Sequence, residues 1–235
     1  MLFLLSFRGV GDNEPHILED TTIEPVLKTF EDFYLKKDYP NALLTLQKDG
    51  GDLPVGVKHY NLGTVYAQMQ HWPDARFHFL MAEKNGFNRP EVSQNLQIAE
   101  AKLEITKLEE PLSTTDYLVK YSALATNGIF TSLSLVILVV GLVALKKTAK
   151  PKLVWLFLPA VLLPLCLHFW IKSWPWAVVM KPSGLHDGPS AIFGSRGELP
   201  PGLLVLAKNK GDWKEIVYPI RYSGWVKANE LKDLE

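Results

Sequence analysis

The hydropathy pattern is dominated by two long apolar runs in the second half of the chain, at residues 123–145 and 153–171. Each run is close to the roughly 20 residues that a helix needs to cross a hydrocarbon layer. Neither run has the polar face that is typical of a helix on a globular surface. Pro159 and Pro164 lie inside the second run, and membrane helices tolerate proline. The pattern therefore predicts a transmembrane helical hairpin.

The connection between these runs, residues 146–152, holds four lysines and no acidic residue. Loops of this composition stay on the cytoplasmic side of a membrane. We therefore expect a multi-pass protein of the bacterial inner (cytoplasmic) membrane, in contact with the lipid bilayer and with both termini periplasmic. The apolar start within residues 1–21 is interpreted as a signal-peptide remnant, the alternative being an ordinary apolar beginning.

Helical periodicity dominates the chain before the apolar runs. Residues 38–42 (Asp-Tyr-Pro-Asn-Ala) align with residues 71–75 (His-Trp-Pro-Asp-Ala) at an offset of 33. In the second unit, Ala75, Phe79 and Ala82 recur on one helix face. A period of this length is typical of stacked helical hairpins. Over residues 22–110 the pattern resembles the tetratricopeptide repeat, and residues 111–122 are interpreted as a linker.

The resemblance to tetratricopeptide (TPR) proteins implies a protein-binding groove lined by the first helix of each repeat. For each groove position the alternative is an ordinary solvated helix face. Carried over position by position, the resemblance implies the groove residues Glu31, Tyr34, Tyr60, Thr64, Gln68 and Gln97.

Short apolar segments separated by glycine, proline, asparagine and aspartate follow the second run. This pattern is typical of a small antiparallel barrel. Gly188-Pro-Ser, Trp213-Lys-Glu-Ile and Gly224-Trp-Val resemble the bacterial SH3 domain, which implies an all-β SH3-like barrel over residues 172–235. Such barrels bind extended peptides on an aromatic surface, whereas the alternative is that these aromatic residues only pack the barrel. The candidate surface residues are Trp213, Tyr218 and Tyr222.

Charge and motif content argue against several functional classes. The 25 basic residues balance the 25 acidic residues, so no nucleic-acid partner is predicted. Cys166 is the single cysteine, which excludes an intramolecular disulfide and a cysteine zinc cluster. His71 and His78 have no third ligand near them in the sequence. Since nucleotide-binding, zinc-protease and serine-hydrolase motifs are also missing, we predict no enzyme, no cofactor and no metal.

The order of parts resembles the E-type Bat aerotolerance proteins. This resemblance implies a multidomain fold: all-α TPR helical repeats, a transmembrane helical hairpin and an all-β SH3-like barrel. It also implies a non-enzymatic scaffold in an envelope-stress complex, with von Willebrand A-domain membrane proteins and a MoxR-type ATPase as partners. Two tethered binding modules raise effective concentration, which is a physical reason for such a design. The alternatives are a cell-wall sensor whose barrel binds peptidoglycan, and an accessory subunit of a membrane enzyme or secretion machine.

Overall fold

The computed structural model describes residues 23–124, 127–148 and 154–234. Within these ranges the chain forms eight α-helices followed by seven β-strands. The helices are α1 (Ile23–Leu35), α2 (Tyr39–Lys48), α3 (Val55–Gln68), α4 (Trp72–Lys84), α5 (Pro90–Leu103), α6 (Thr114–Leu124), α7 (Asn127–Thr148) and α8 (Val154–Lys172). The strands are β1 (Trp176–Val179), β2 (Ser183–His186), β3 (Ser195–Leu199), β4 (Leu204–Lys210), β5 (Trp213–Tyr218), β6 (Gly224–Lys227) and β7 (Leu231–Asp233).

Helices α1 to α4 form two hairpins whose turns have the same geometry. The turn residues Lys37 and Gln70 both adopt a left-handed conformation, with φ of 60° and 62°. Proline in the first turn of α2 and of α4 fits a position where a backbone N–H has no helical partner. A backbone hydrogen bond of 2.9 Å closes each turn, from Asp38 N to Phe33 O and from His71 N to Tyr66 O.

The helices enclose two buried clusters that follow this hairpin order. Helix α5 packs on α4 and extends the second cluster. The first cluster includes Phe30, Ala42, Leu46, Leu62 and Val65. The second includes Tyr60, Ala75, Phe79, Ala82 and Val92.

All seven strands belong to one antiparallel sheet with the order β3-β2-β6-β5-β4-β1-β7. Its apolar face is buried, and Leu108 from the segment after α5 packs against it. Fully buried members of this core include Ala177, Val179, Leu199, Leu203 and Val205.

A third cluster joins the sheet to the helices. Phe77 and Met81 of α4 pack on Val178 of β1 and on Leu234, the last described residue. Lys84 at the end of α4 donates a hydrogen bond to the carbonyl oxygen of Leu234. The helical array and the sheet therefore share one interface and do not behave as separately tethered units.

The predicted transmembrane hairpin is wrong. In the described part of the chain, no helix is both long enough and apolar enough to cross a membrane. The prediction of a multi-pass inner-membrane protein with two periplasmic termini is therefore also wrong. Residues 1–21 and most of the lysine loop at 146–152 lie outside the described residues.

The predicted fold class is wrong as well. It divided the chain into all-α TPR repeats, a membrane hairpin and a separate all-β SH3-like barrel. The described residues instead form a mixed structure of eight helices and one seven-stranded antiparallel sheet, packed together through α4. The physical reason is that local periodicity predicts elements one at a time, whereas the α4–β1 interface depends on contacts between distant parts of the sequence.

Candidate functional site

One face of the helical array carries a row of polar side chains from α1 to α3. The rings of Tyr34 and Tyr39 lie 5.7 Å apart, edge to face. The Tyr39 hydroxyl donates to Oε1 of Gln68 at 3.4 Å. One turn earlier on α3, the Thr64 hydroxyl donates to the carbonyl oxygen of Tyr60 at 3.0 Å. We call these five residues the tyrosine face.

The tyrosine face continues onto α5 through Glu91 and Asn95, which lie one helical turn apart. The charge of Glu91 raises the pKa of the Tyr60 hydroxyl, whereas the Asn95 amide, which lies within reach of that hydroxyl, lowers it. Oε2 of Glu91 and Nδ2 of Asn95 are buried, and neither makes a hydrogen bond of normal geometry to a described residue. A buried polar atom without a partner is rare in a native fold, so this pair is a candidate for contact with a ligand.

Burial sets the electrostatics of this face. It raises the pKa of the Tyr34 hydroxyl, and Tyr39 and Tyr60 raise it further. Burial also raises the pKa of the Tyr60 hydroxyl, and the carboxylate of Glu91 adds to the effect. Both hydroxyls therefore stay protonated at neutral pH and can act as hydrogen-bond donors. The face offers hydroxyl, amide and carboxylate groups of the kind that hold peptide groups.

The structure brings together four of the six helix residues predicted as groove residues. Tyr34, Tyr60 and Thr64 are at most 8 % exposed and form the floor of the tyrosine face, beside the half-buried Gln68. Glu31 is half-buried and lies one turn before Tyr34 on α1. Gln97 is exposed and does not join the set.

Sequence reasoning missed Tyr39, Glu91 and Asn95. For Asn95 a signal was present, because Val92, Asn95 and Ala99 form the buried stripe of α5 at helical spacing. A polar residue within an otherwise apolar stripe is a better candidate than the exposed Gln97 two positions later.

The three aromatic residues predicted as a surface on the sheet do not share one surface. Trp213 and Tyr218 lie at opposite ends of β5. Trp213 packs edge-on against His186 at 5.2 Å, whereas Tyr218 is 5 % exposed and packs against Trp176 at 5.6 Å. Burial, together with Glu109 and Asp116, raises the pKa of Tyr218 to about 12.

Tyr222 lies in a different place again, beside a shallow trough of about 390 Å³. Leu108, Pro182, Pro200 and Pro201 also line this trough. The trough lies next to the joint between helices and sheet and is separate from the tyrosine face.

That joint is built around Arg76 of α4, which is only 1 % exposed. Its guanidinium donates to Glu100 at 2.8 Å and to both oxygens of Glu109 at 2.6 and 2.7 Å. It also donates to the carbonyl oxygen of Gly202 in the β3–β4 turn. Burial by itself lowers the pKa of Arg76, but Glu109 and Glu100 outweigh burial and raise it overall.

Glu109 also binds the sheet directly. Its Oε1 accepts a hydrogen bond of 2.7 Å from the backbone N–H of Leu204. A single buried ion cluster therefore fixes α4, α5, the segment after α5 and the start of β4 relative to one another.

Histidines form a small aromatic stack on the hairpin of α3 and α4. The rings of His71 and His78 stack on Tyr66, at 6.3 and 5.2 Å. On the far side, Nδ1 of His59 lies 2.8 Å from Nδ1 of His78. Across the described residues, no group of three histidine, cysteine, aspartate or glutamate side chains is placed to hold a metal ion.

Comparison with known proteins identifies no relative. No family model matches this sequence, and no curated protein or solved structure matches it either. The resemblance to the E-type Bat proteins thus stays a prediction that depends on the sequence pattern alone.

Proposed function

We propose that the protein is a non-enzymatic adaptor that binds a protein partner through the tyrosine face and the adjoining Glu91 and Asn95. The observation that carries this proposal is the pair of buried, unpartnered polar atoms on α5, Oε2 of Glu91 and Nδ2 of Asn95. Leaving such an atom unpaired costs about 1–3 kcal/mol. A ligand that supplies the missing partners recovers that free energy on binding.

The chemistry of the two atoms suggests which ligand group fits. Glu91 supplies an acceptor and Asn95 a donor, about 5–6 Å apart at the Cβ positions of one helix turn. A peptide backbone presents the complementary N–H and C=O groups at each residue. The tyrosine hydroxyls next to this pair extend the same polar character along α3 and α1. We therefore propose an extended peptide segment of a partner protein as the ligand.

The resemblance stated from the sequence suggests which partners to test first. Under that resemblance, von Willebrand A-domain proteins and a MoxR-type ATPase belong to the same complex, and the adaptor supports an envelope-stress or aerotolerance role. The buried ion cluster around Arg76 favours this use, because a rigid joint presents the tyrosine face and the sheet in a fixed relative orientation.

Replacement of Asn95 tests the proposal. The tagged full-length chain is purified from its own host together with whatever binds it, and each recovered partner is then titrated against the pure protein. We expect Asn95→Ala to weaken binding about fivefold, because it removes a hydrogen-bond donor worth about 1 kcal/mol in a buried setting.

The matched control is Gln97→Ala, an exposed position on the same helix. It should leave the affinity unchanged, and circular dichroism should show the same helix content for both variants. Equal affinity of the wild-type and Asn95→Ala proteins, or recovery of no partner at all, would contradict the proposed function.

A further inference from the structure

The last strand is short and lies at an edge of the sheet. Strand β7 has three residues and follows β1 at the end of the strand order. Residues 231–234, which we call the latch, also hold the sheet against α4. Leu234 packs beside Phe77, and its carbonyl oxygen accepts a hydrogen bond from Lys84. A short edge strand has ladder hydrogen bonds on one side only, so it opens at a lower cost than a central strand.

The latch carries a cation that faces aromatic rings of the helices. Nζ of Lys232 lies 4.2 Å from the centre of the Phe77 ring, a cation–π contact. The Phe77 ring lies 6.5 Å from His59 and 5.1 Å from His78, edge-on to both. Lys232 therefore sits next to a pair of imidazoles.

The two imidazoles cannot both be protonated without losing the hydrogen bond between them. A hydrogen bond between Nδ1 of His59 and Nδ1 of His78 needs one donor and one acceptor, so it is lost when both rings are protonated. His78 is 6 % exposed and stacks on Tyr66, whereas His59 is half-buried.

The charged groups that face the pair are cations from two elements. Lys58 comes from α3 and Lys232 comes from the latch. The carboxylate of Asp74 acts on Tyr66, the ring on which His78 stacks. A proton added to the pair thus adds positive charge beside an existing cation.

We propose that the latch is a pH-sensitive contact: proton uptake by the His59–His78 pair drives Lys232 away from Phe77 and releases residues 231–234 from α4. The cause is repulsion between an imidazolium and the ammonium of Lys232 in a partly buried setting, where charges interact more strongly than in water.

The direction of the pKa shifts agrees with this geometry. Burial, Lys232 and Lys58 lower the pKa of His59, and burial with Lys232 and His59 lowers the pKa of His78 to about 3. A histidine whose pKa is lowered in the closed state binds protons better when the latch is open. The closed latch is therefore fully stable above the ordinary histidine pKa of about 6.5 and weakens as the pH falls below it.

Hydrogen exchange of the full-length protein at pH 7 and pH 5 tests this inference. After correction for the intrinsic pH dependence of exchange, we expect amides of the latch to exchange about tenfold faster at pH 5, the factor that one pKa unit supplies. Amides in the middle of α3 and α4 should keep their protection at both values.

Two variants separate the proposed cause from others. Lys232→Met keeps an apolar side chain on Phe77 without a charge, and His59→Gln removes one of the two titrating rings. Lys232→Met should abolish the pH dependence of latch exchange and His59→Gln should reduce it, whereas His71→Gln, a histidine on the far side of Tyr66, should keep it in full. An unchanged pH dependence in Lys232→Met and His59→Gln, no pH dependence in the wild type, or equal loss of protection throughout the chain would each overturn the proposal.

Discussion

Replacing Arg76 with methionine should lower the free energy of unfolding by about 3–5 kcal/mol, the usual cost of removing one partner from a buried ion pair. The substitution leaves Glu109 and Glu100 without their cation and the carbonyl oxygen of Gly202 without its donor. Urea denaturation followed by circular dichroism measures the change. Because Arg76 joins helices to sheet, we also expect one unfolding transition in the wild type and two in the Arg76→Met variant.

Arg196 provides the matched control for this experiment. Its ion pair with Asp187 spans 3.2 Å, but the two side chains are 45 % and 59 % exposed. Arg196→Met should therefore cost less than about 1 kcal/mol. A triple variant that combines Arg76→Met with Glu100→Gln and Glu109→Gln should recover part of the stability lost by Arg76→Met alone. It removes the two buried carboxylate charges that have lost their cation. Equal destabilisation by Arg76→Met and Arg196→Met would show that the cluster does not hold the joint.

Replacing Gly202 with alanine should destabilise the protein by about 2 kcal/mol, because a backbone cost and a smaller packing cost combine there. Gly202 has φ of +85°, a conformation in which alanine is strained. An added Cβ would also overlap Cδ1 of Leu103, but that atom ends a flexible, half-buried side chain that can move aside, so overpacking adds only about 1 kcal/mol. The shift in the urea midpoint at constant m-value gives the measurement.

Gly211 separates the two costs. It has a similar φ of +77°, but no atom lies within 4 Å of an added Cβ. Gly211→Ala should therefore show the backbone cost alone, about 1 kcal/mol. If the two alanine variants lose the same stability, the contact with Leu103 is not tight. Combining Gly202→Ala with Leu103→Ala should then show no coupling, whereas we expect the pair to couple.

Local sequence patterns correctly predicted features that depend only on residues close together in the sequence, such as helix starts. The 33-residue offset placed Tyr39 and Trp72 at equivalent positions, and both begin a helix that has proline in its first turn. Such features depend on backbone chemistry within a few residues. The resemblance to TPR proteins, and not periodicity, implied Tyr34, Tyr60 and Thr64 as groove residues; the structure places these residues near one another, and their role in binding stays a prediction.

Contacts between distant residues could not be obtained in this way. Arg76 would be expected on a solvated face, since an arginine is almost never fully buried unless it is paired. Its partners Glu100 and Glu109 come from other parts of the chain, and no local pattern connects them. Likewise, the strand segments did not reveal that Trp213 and Tyr218 lie at opposite ends of β5. The two apolar runs led to the wrong prediction of a transmembrane hairpin for a related reason. Hydropathy is a local property of the sequence and does not show what surrounds a helix in the fold.

The interface on α4 imposes an order on biosynthesis. Arg76 precedes Gly202 by 126 residues, and Lys84 precedes Leu234 by 150. At translation rates of about 5–20 residues per second, synthesis of Leu234 follows synthesis of α4 by roughly 8–30 s. The last contacts of α4 cannot form before then. During that interval Phe77 and Met81 have no sheet to cover them, so nascent chains are open to chaperones and to aggregation. The fraction of chains that mature should therefore depend on how quickly the ribosome completes the final strands.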